Sequence, residues 1–298
     1  MKKIIISLSL VGLYVDISAQ ERDFASIQHS FSALKYNDTT ANTRQTDIKI
    51  RFPVWHKNKN AVIVGASYKY LKLNKMPSVF GENLHGISLP LFGQMALSAR
   101  TTLVVFGQAG FFLPTNRAIC SDDFRYGAGF RLRFQHSAHF ATGWGLGYGH
   151  QFFGHQIVPF IEIDYRPMGS RWSITGQFPI KPKVLYRINT RWRVGLELSG
   201  EAASFRLANK NYSLQQNQWI ASAKWEYKLS ARLLLSGGVG KNMRQTYKLY
   251  QNPNPDAWTI ITFPVGQKSE SIRRIDGKQL FAHISLSFGM PNSSQSTK

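Results

Sequence analysis

One cysteine, Cys120, stands among 298 residues. No internal disulfide can form, so the fold must hold through a hydrogen-bonded sheet or a large core. Long apolar runs are missing as well. Beyond residue 19 no stretch reaches eighteen consecutive apolar residues, which excludes a helical membrane protein. Acidic residues are scarce, 16 against 37 lysines and arginines, for a net charge of +21. In a cytosolic chain such an excess points to nucleic acid, yet no helix-turn-helix, zinc-finger or aromatic-basic RNA motif accompanies it. No phosphate loop, nucleophile elbow or dinucleotide fingerprint occurs, and the histidines share no ligand spacing on a common face. An enzyme, a cofactor, a metal centre and a nucleic-acid partner are therefore not expected.

What is present begins with a processing signal. Lys2 and Lys3 precede an apolar stretch, Ile4 to Val15, that is too short to cross a bilayer as a helix. Ile17-Ser18-Ala19 then offers a small residue before Gln20. Residues 1–19 read as a cleaved signal peptide, with a single domain over 20–298.

That domain alternates. Tyr126, Ala128, Phe130, Leu132 and Phe134 share one parity, and Arg125, Gly127, Gly129, Arg131 and Arg133 the other. Phe140, Thr142, Trp144, Leu146 and Tyr148 likewise face a row of glycines at 143, 145, 147 and 149. A period of two is the strand signature. Fourteen strands follow, at 23–34, 46–55, 61–71, 84–97, 101–113, 124–134, 140–149, 156–165, 171–179, 183–189, 192–204, 215–229, 233–244 and 279–289. Mean hydropathy is slightly negative, as it is when barrel strands hide their apolar half among polar alternates.

The links alternate too. Short ones at 56–60, 98–100, 135–139, 166–170, 190–191 and 230–232 separate mostly longer ones, at 35–45, 72–83, 114–123, 150–155, 180–182, 205–214 and 245–278. Tight periplasmic turns and longer outer loops produce this rhythm in a transmembrane β-barrel. Phe134, Phe140, Tyr165, Trp172, Trp192 and Tyr227 lie beside short turns on the apolar parity, as an aromatic girdle at headgroup level does. Pro90 and Pro159 fall inside strands, where bulges are the expected accommodation. The chain is thus expected to be an all-β, antiparallel, up-and-down transmembrane barrel of about fourteen strands in an outer membrane, assembled by the barrel assembly machinery.

The order Asp122-Asp123-Phe124, Tyr126-Gly127, Gly147-Tyr148, Phe152-Phe153-Gly154 and Pro159, then Trp172, Pro179 and Tyr186, resembles an uncharacterised family of Gram-negative outer-membrane β-barrel proteins labelled a domain of unknown function. The resemblance implies a porin-like barrel of this size and carries no activity onto these positions.

The inward parity holds Lys49, Arg51, Lys69, Arg125, Arg131, Arg133, Arg187, Arg193, Lys224 and Lys228, with Asp47, Glu162, Asp164, Glu197, Glu201 and Glu226. Lys49, Arg51, Lys69, Arg125, Arg131, Arg133, Arg193 and Lys224 are the candidate lumen-lining residues. Cations on a pore wall concentrate anions, so the expected function is a narrow pore or transporter for small anionic solutes. The alternative is a filled lumen with charges paired across strands, in a structural barrel whose loops contact anionic lipid phosphates or a partner. A third reading, an outer-membrane lipid hydrolase, rests on His283 and Ser285, two apart on one strand. The glycine row leaves room for side chains of the opposite wall or for a ligand. Asp122 and Asp123 are expected in a solvated turn, and the segment 245–278 either forms an outer hairpin or folds inward.

Overall fold

A computed structural model describes residues 23–36, 39–266 and 269–289. The expected signal peptide at 1–19 and the tail from 290 lie outside the described residues. The strands are β1 (Asp23–Tyr36), β2 (Thr39–Lys57), β3 (Asn60–Asn74), β4 (Asn83–Ala96), β5 (Thr101–Pro114), β6 (Phe124–Ser137), β7 (Phe140–Gln151), β8 (Gly154–Tyr165), β9 (Trp172–Phe178), β10 (Lys181–Arg187), β11 (Trp192–Arg206), β12 (Tyr212–Lys228) and β13 (Leu233–Gln251). Three short strands follow, β14 (Trp258–Ile260), β15 (Phe263–Val265) and β16 (Arg273–Gly277), before β17 (Leu280–Gly289). Neighbours in sequence pair antiparallel from β1 to β13, β13 pairs with β17, and β17 pairs back to β1. The result is a closed antiparallel barrel of fourteen strands, with β14–β16 in the last loop.

Burial runs opposite to that of a soluble domain. Leu89 (66%), Ile161 (58%) and Leu196 (67%) stand exposed on the outer face, while Arg131 (1%) and Glu162 (4%) are buried inside. The expected girdle rings meet at the short-turn end, Phe140 on Tyr165 with centroids 5.7 Å apart and Trp192 on Tyr227 at 4.6 Å.

Three expectations are corrected. The link at 35–45 is strand over 35–36 and 39–45, where Tyr36 pairs with Thr39. Its Thr- and Asn-rich sequence lacks apolar alternation because this hairpin projects past the exposed apolar belt. Neither Pro90 nor Pro159 sits at a bulge. The β3–β4 ladder is interrupted between Val64–Leu91 and Ser67–Ser88 without a change of register, so the missing Pro90 N–H falls where no bond is made. Pro159 faces a gap in the wall. The backbone N–H of His155, on the same parity, points away from β7 and donates to Ala257, which sets the Pro159 nitrogen on that same open side. A bulge occurs instead at Pro53.

The gap arises because β9 and β10 have only seven residues each. β8 pairs with β9 no higher than Ile161, and β10 with β11 no higher than Glu197. Above them β14 pairs parallel with β8 at His155–Ile157, while β16 pairs with β13. The long loop therefore spans the loop end from β13 to β8.

Candidate functional site

The interior has three zones. In the middle, charged side chains pair. Arg133 reaches Glu162 at 2.6 Å and Asp164 at 3.0 Å, and Arg131 Nε lies 3.1 Å from Glu162. Arg193 meets Glu226 at 2.7 Å and Lys224 meets Glu197 at 2.5 Å. Lys69 bonds Asp47 at 2.9 Å and also Glu201 on β11. Gln45 donates to Asp47 at 2.7 Å and to Glu201 at 3.2 Å, and Gln218 donates to Glu201 at 3.1 Å. Strands β2 and β3 do not adjoin β11 in the wall, so the Lys69–Glu201 and Gln45–Glu201 contacts cross the lumen. Buried ions persist when paired, and each acid of this network has a cation within salt-bridge distance.

Toward the loop end the same inward parity turns apolar. Leu34, Leu71, Leu73, Leu84, Phe112, Phe205, Leu214, Tyr247 and Leu249, joined by Phe80, Phe152 and Ile275 of the loops, form one buried cluster. Phe205 meets Phe112 edge-on at 6.0 Å. The end of β11 leans inward past its short neighbours, and Ser204 accepts from Arg125 Nη1 at its carbonyl (2.6 Å) and hydroxyl (3.0 Å). This apolar plug went unread in the sequence, although the switch from polar to apolar on one parity near the strand ends was the available signal.

Below the plug, against β4–β8, lies a recess of about 260 Å³ lined by Phe92, Phe106, Gln108, Arg125, Gln151 and Gln156 among others. The glycine row divides there. A Cβ on Gly145 would strike Phe160 at 2.4 Å, and one on Gly143 would meet the Leu132 carbonyl at 2.7 Å; one on Gly147 would meet nothing nearer than 3.8 Å. The first two glycines admit packing and close strands, whereas Gly147 opens onto space.

The candidate residues thus separate. Lys69, Arg131, Arg133, Arg193 and Lys224 are in ion pairs. Lys49, Arg51 and Arg125 make no salt bridge among the described residues. Arg51 stacks on Phe92 with 5.1 Å from Cζ to the centroid, and Arg125 on Phe112 at 3.6 Å. Lys49 points inward and is exposed. Lys181, absent from the sequence-based set, repels Lys49.

The sequence matches the domain of unknown function DUF6268 over residues 17–258. The chain belongs to that family. No curated protein matches it. Among solved structures, the NanC porin is similar at 10% identity and TM-score 0.40, over 89% of this chain and 98% of that one. The KdgM porin, solved in complex with disordered oligogalacturonate, is similar at 9% and 0.37, over 89% and 98%. The Pseudomonas putida toluene transporter TodX is similar at 9% and 0.32, over 91% and 90%. At these identities and scores their solutes say nothing about this one.

Other chemistry in this DUF6268 chain is sparse. His283 Nδ1 has no hydrogen-bond partner among the described residues, so no acid orients the ring through that nitrogen. Among the described residues no three of His, Cys, Asp or Glu gather as a metal site would require. Asp123 is fully buried instead of solvated. It accepts from Arg117 and from the Cys120 amide at 2.9 Å, and so ties its loop down, while Asp122 is exposed beside Lys210.

Proposed function

We propose that this protein spans the outer membrane of a Gram-negative cell and passes small, preferentially anionic solutes through a lumen that is closed at rest by the apolar plug. The exposed apolar belt suits lipid, and fourteen strands close the wall, with β14 covering part of the β8 edge above the short β9 and β10. The short turns then face the periplasm and the loop end faces outside. One imbalance carries the anion preference. Among the described residues, the interior acids Asp47, Glu162, Asp164, Glu197, Glu201 and Glu226 are all paired, whereas Lys49, Arg51, Arg125 and Lys181 make no salt bridge. Surplus positive charge on a low-dielectric wall concentrates anions. A dry apolar constriction closes a pore by excluding water and opens when its side chains part.

Planar-bilayer recordings of the refolded protein test this. Small, intermittent conductance with an anion-selective reversal potential is expected. The plug and the cross-lumen Lys69–Glu201 contact favour one competing reading, a permanently closed structural barrel. Absence of conductance above background from correctly folded protein would establish that reading in place of the channel.

A further inference from the structure

We infer that the recess beneath the plug is a binding site for a small carboxylate with an aromatic or apolar body, about the size of benzoate. The inference deepens the channel reading, because it rests on that reading for placing the recess on a solute path. Binding itself does not depend on conduction.

Arg125 is the anchor. It is only 7% exposed, yet among the described residues no carboxylate lies within salt-bridge distance. Its Nη1 is engaged by Ser204, its plane is covered by Phe112 at 3.6 Å, and its Nε has no partner among the described residues. A buried cation without a counter-charge is costly, and the group that removes this cost is an anion able to accept from the guanidinium edge. Arg131, the other buried interior arginine, already has Glu162 at 3.1 Å.

The walls select the rest of the ligand. Phe92 and Phe106 offer ring surface on one side, and Gly147 leaves a floor without side chains on the other. Gln108, Gln151 and Gln156 supply neutral amide donors and acceptors, which orient a polar group without adding competing charge. A bare inorganic anion would leave the ring surface uncovered, while a neutral arene would leave Arg125 unmatched. The recess volume is about 260 Å³. That suits a single ring with one acidic substituent and is below the range of drug-sized pockets.

Calorimetric titration of the full refolded chain in detergent, corrected for empty micelles, tests the site with benzoate, its neutral counterpart benzyl alcohol, and inorganic phosphate. Benzoate should bind at least tenfold more tightly than either of the others. Gly147→Leu fills the recess without touching Arg125 and should weaken benzoate at least tenfold, with folding verified by heat-modifiable migration. Arg125→Gln should bring benzoate and benzyl alcohol to equal affinity. Equal binding of the three probes by the wild type, or unchanged benzoate affinity in folded Gly147→Leu, would overturn the proposal. The channel reading fails separately: benzoate binding without conductance keeps the site and removes the channel, whereas conductance without benzoate binding does the reverse.

Discussion

Two stretches of the same inward face behave in opposite ways. On β3, Lys69 is held by two acids, and Leu71 and Leu73, one and two pleats further on, are sealed in the plug. On β11, Glu197 and Glu201 are paired, and Ala203 and Phe205 beyond them are dry. A strand thus changes the chemistry of its inner face within two or three pleats without changing parity. The middle of the lumen is specified by directional charge pairing. The loop end is held by burial, worth about 1.5–3 kcal/mol for each large apolar side chain. On the proposed function, closure is concentrated where apolar burial and not charge pairing holds the side chains.

The strongest way to break this contrast is to cut the plug. Phe205 is fully buried against Phe112, and a Phe→Ala change at such a site costs about 3–5 kcal/mol. Phe205→Ala should lose stability of that order in a denaturant titration and should raise the open fraction in bilayer recordings. A destabilised variant whose conductance stays at the wild-type level would show that the plug is structure and not a gate.

What the sequence conveyed follows the same division. All fourteen barrel strands were legible because alternation survives wherever lipid-type apolar residues face outward, as in Ile48, Ile50 and Phe52. The hairpin at 35–45 was not, since over 39–45 only Ala41 is apolar. The plug was hidden for the converse reason: Leu34, Phe112 and Leu249 look like ordinary strand residues, and only their inward parity marks them. Ion pairs such as Lys69 with Glu201 join residues 132 apart, a relation that only barrel closure fixes. The gap beside Pro159 depends on the brevity of β9 and β10 together with the inward lean of β11, and no local pattern encodes that lean.

A smaller effect sharpens the middle zone. If the unpaired cations set selectivity, Lys49→Gln combined with Arg51→Gln should lower the anion preference. The paired substitution Arg133→Gln with Asp164→Asn removes one charge of each sign and should leave it nearly unchanged. Screening lengths fall from about 10 Å at 0.1 M salt to about 3 Å at 1 M, so the first effect should shrink as salt rises. Reversal potentials decide the matter. A larger shift from the charge-neutral pair than from the two cations would place selectivity in the ion-paired network.

The smallest effect belongs to the strap above the plug. β16 lies in the long loop and contributes buried Ile275 to the cluster. Beside it, Asp276 accepts from Thr246 at 2.7 Å and from Arg274 at 2.6 and 3.0 Å. Burial alone would push the Asp276 carboxyl up. The Arg274 and Thr246 hydrogen bonds, with the Arg274 charge, outweigh it and hold the group below its ordinary 3.8. A carboxylate held low contributes stability that is complete above its unfolded value and is lost as pH falls through its folded one. The strap should therefore stay fastened at neutral pH and loosen only below about 3.8. The side chain is half exposed, so solvent screening keeps the gain modest. Asp276→Asn removes the charge at every pH and should show at pH 7 a slight rise in open fraction that the wild type shows only in acid. Identical open fractions for the two proteins at pH 7 would mean that β16 is held by Ile275 and its backbone ladder, with the carboxylate contributing nothing to closure.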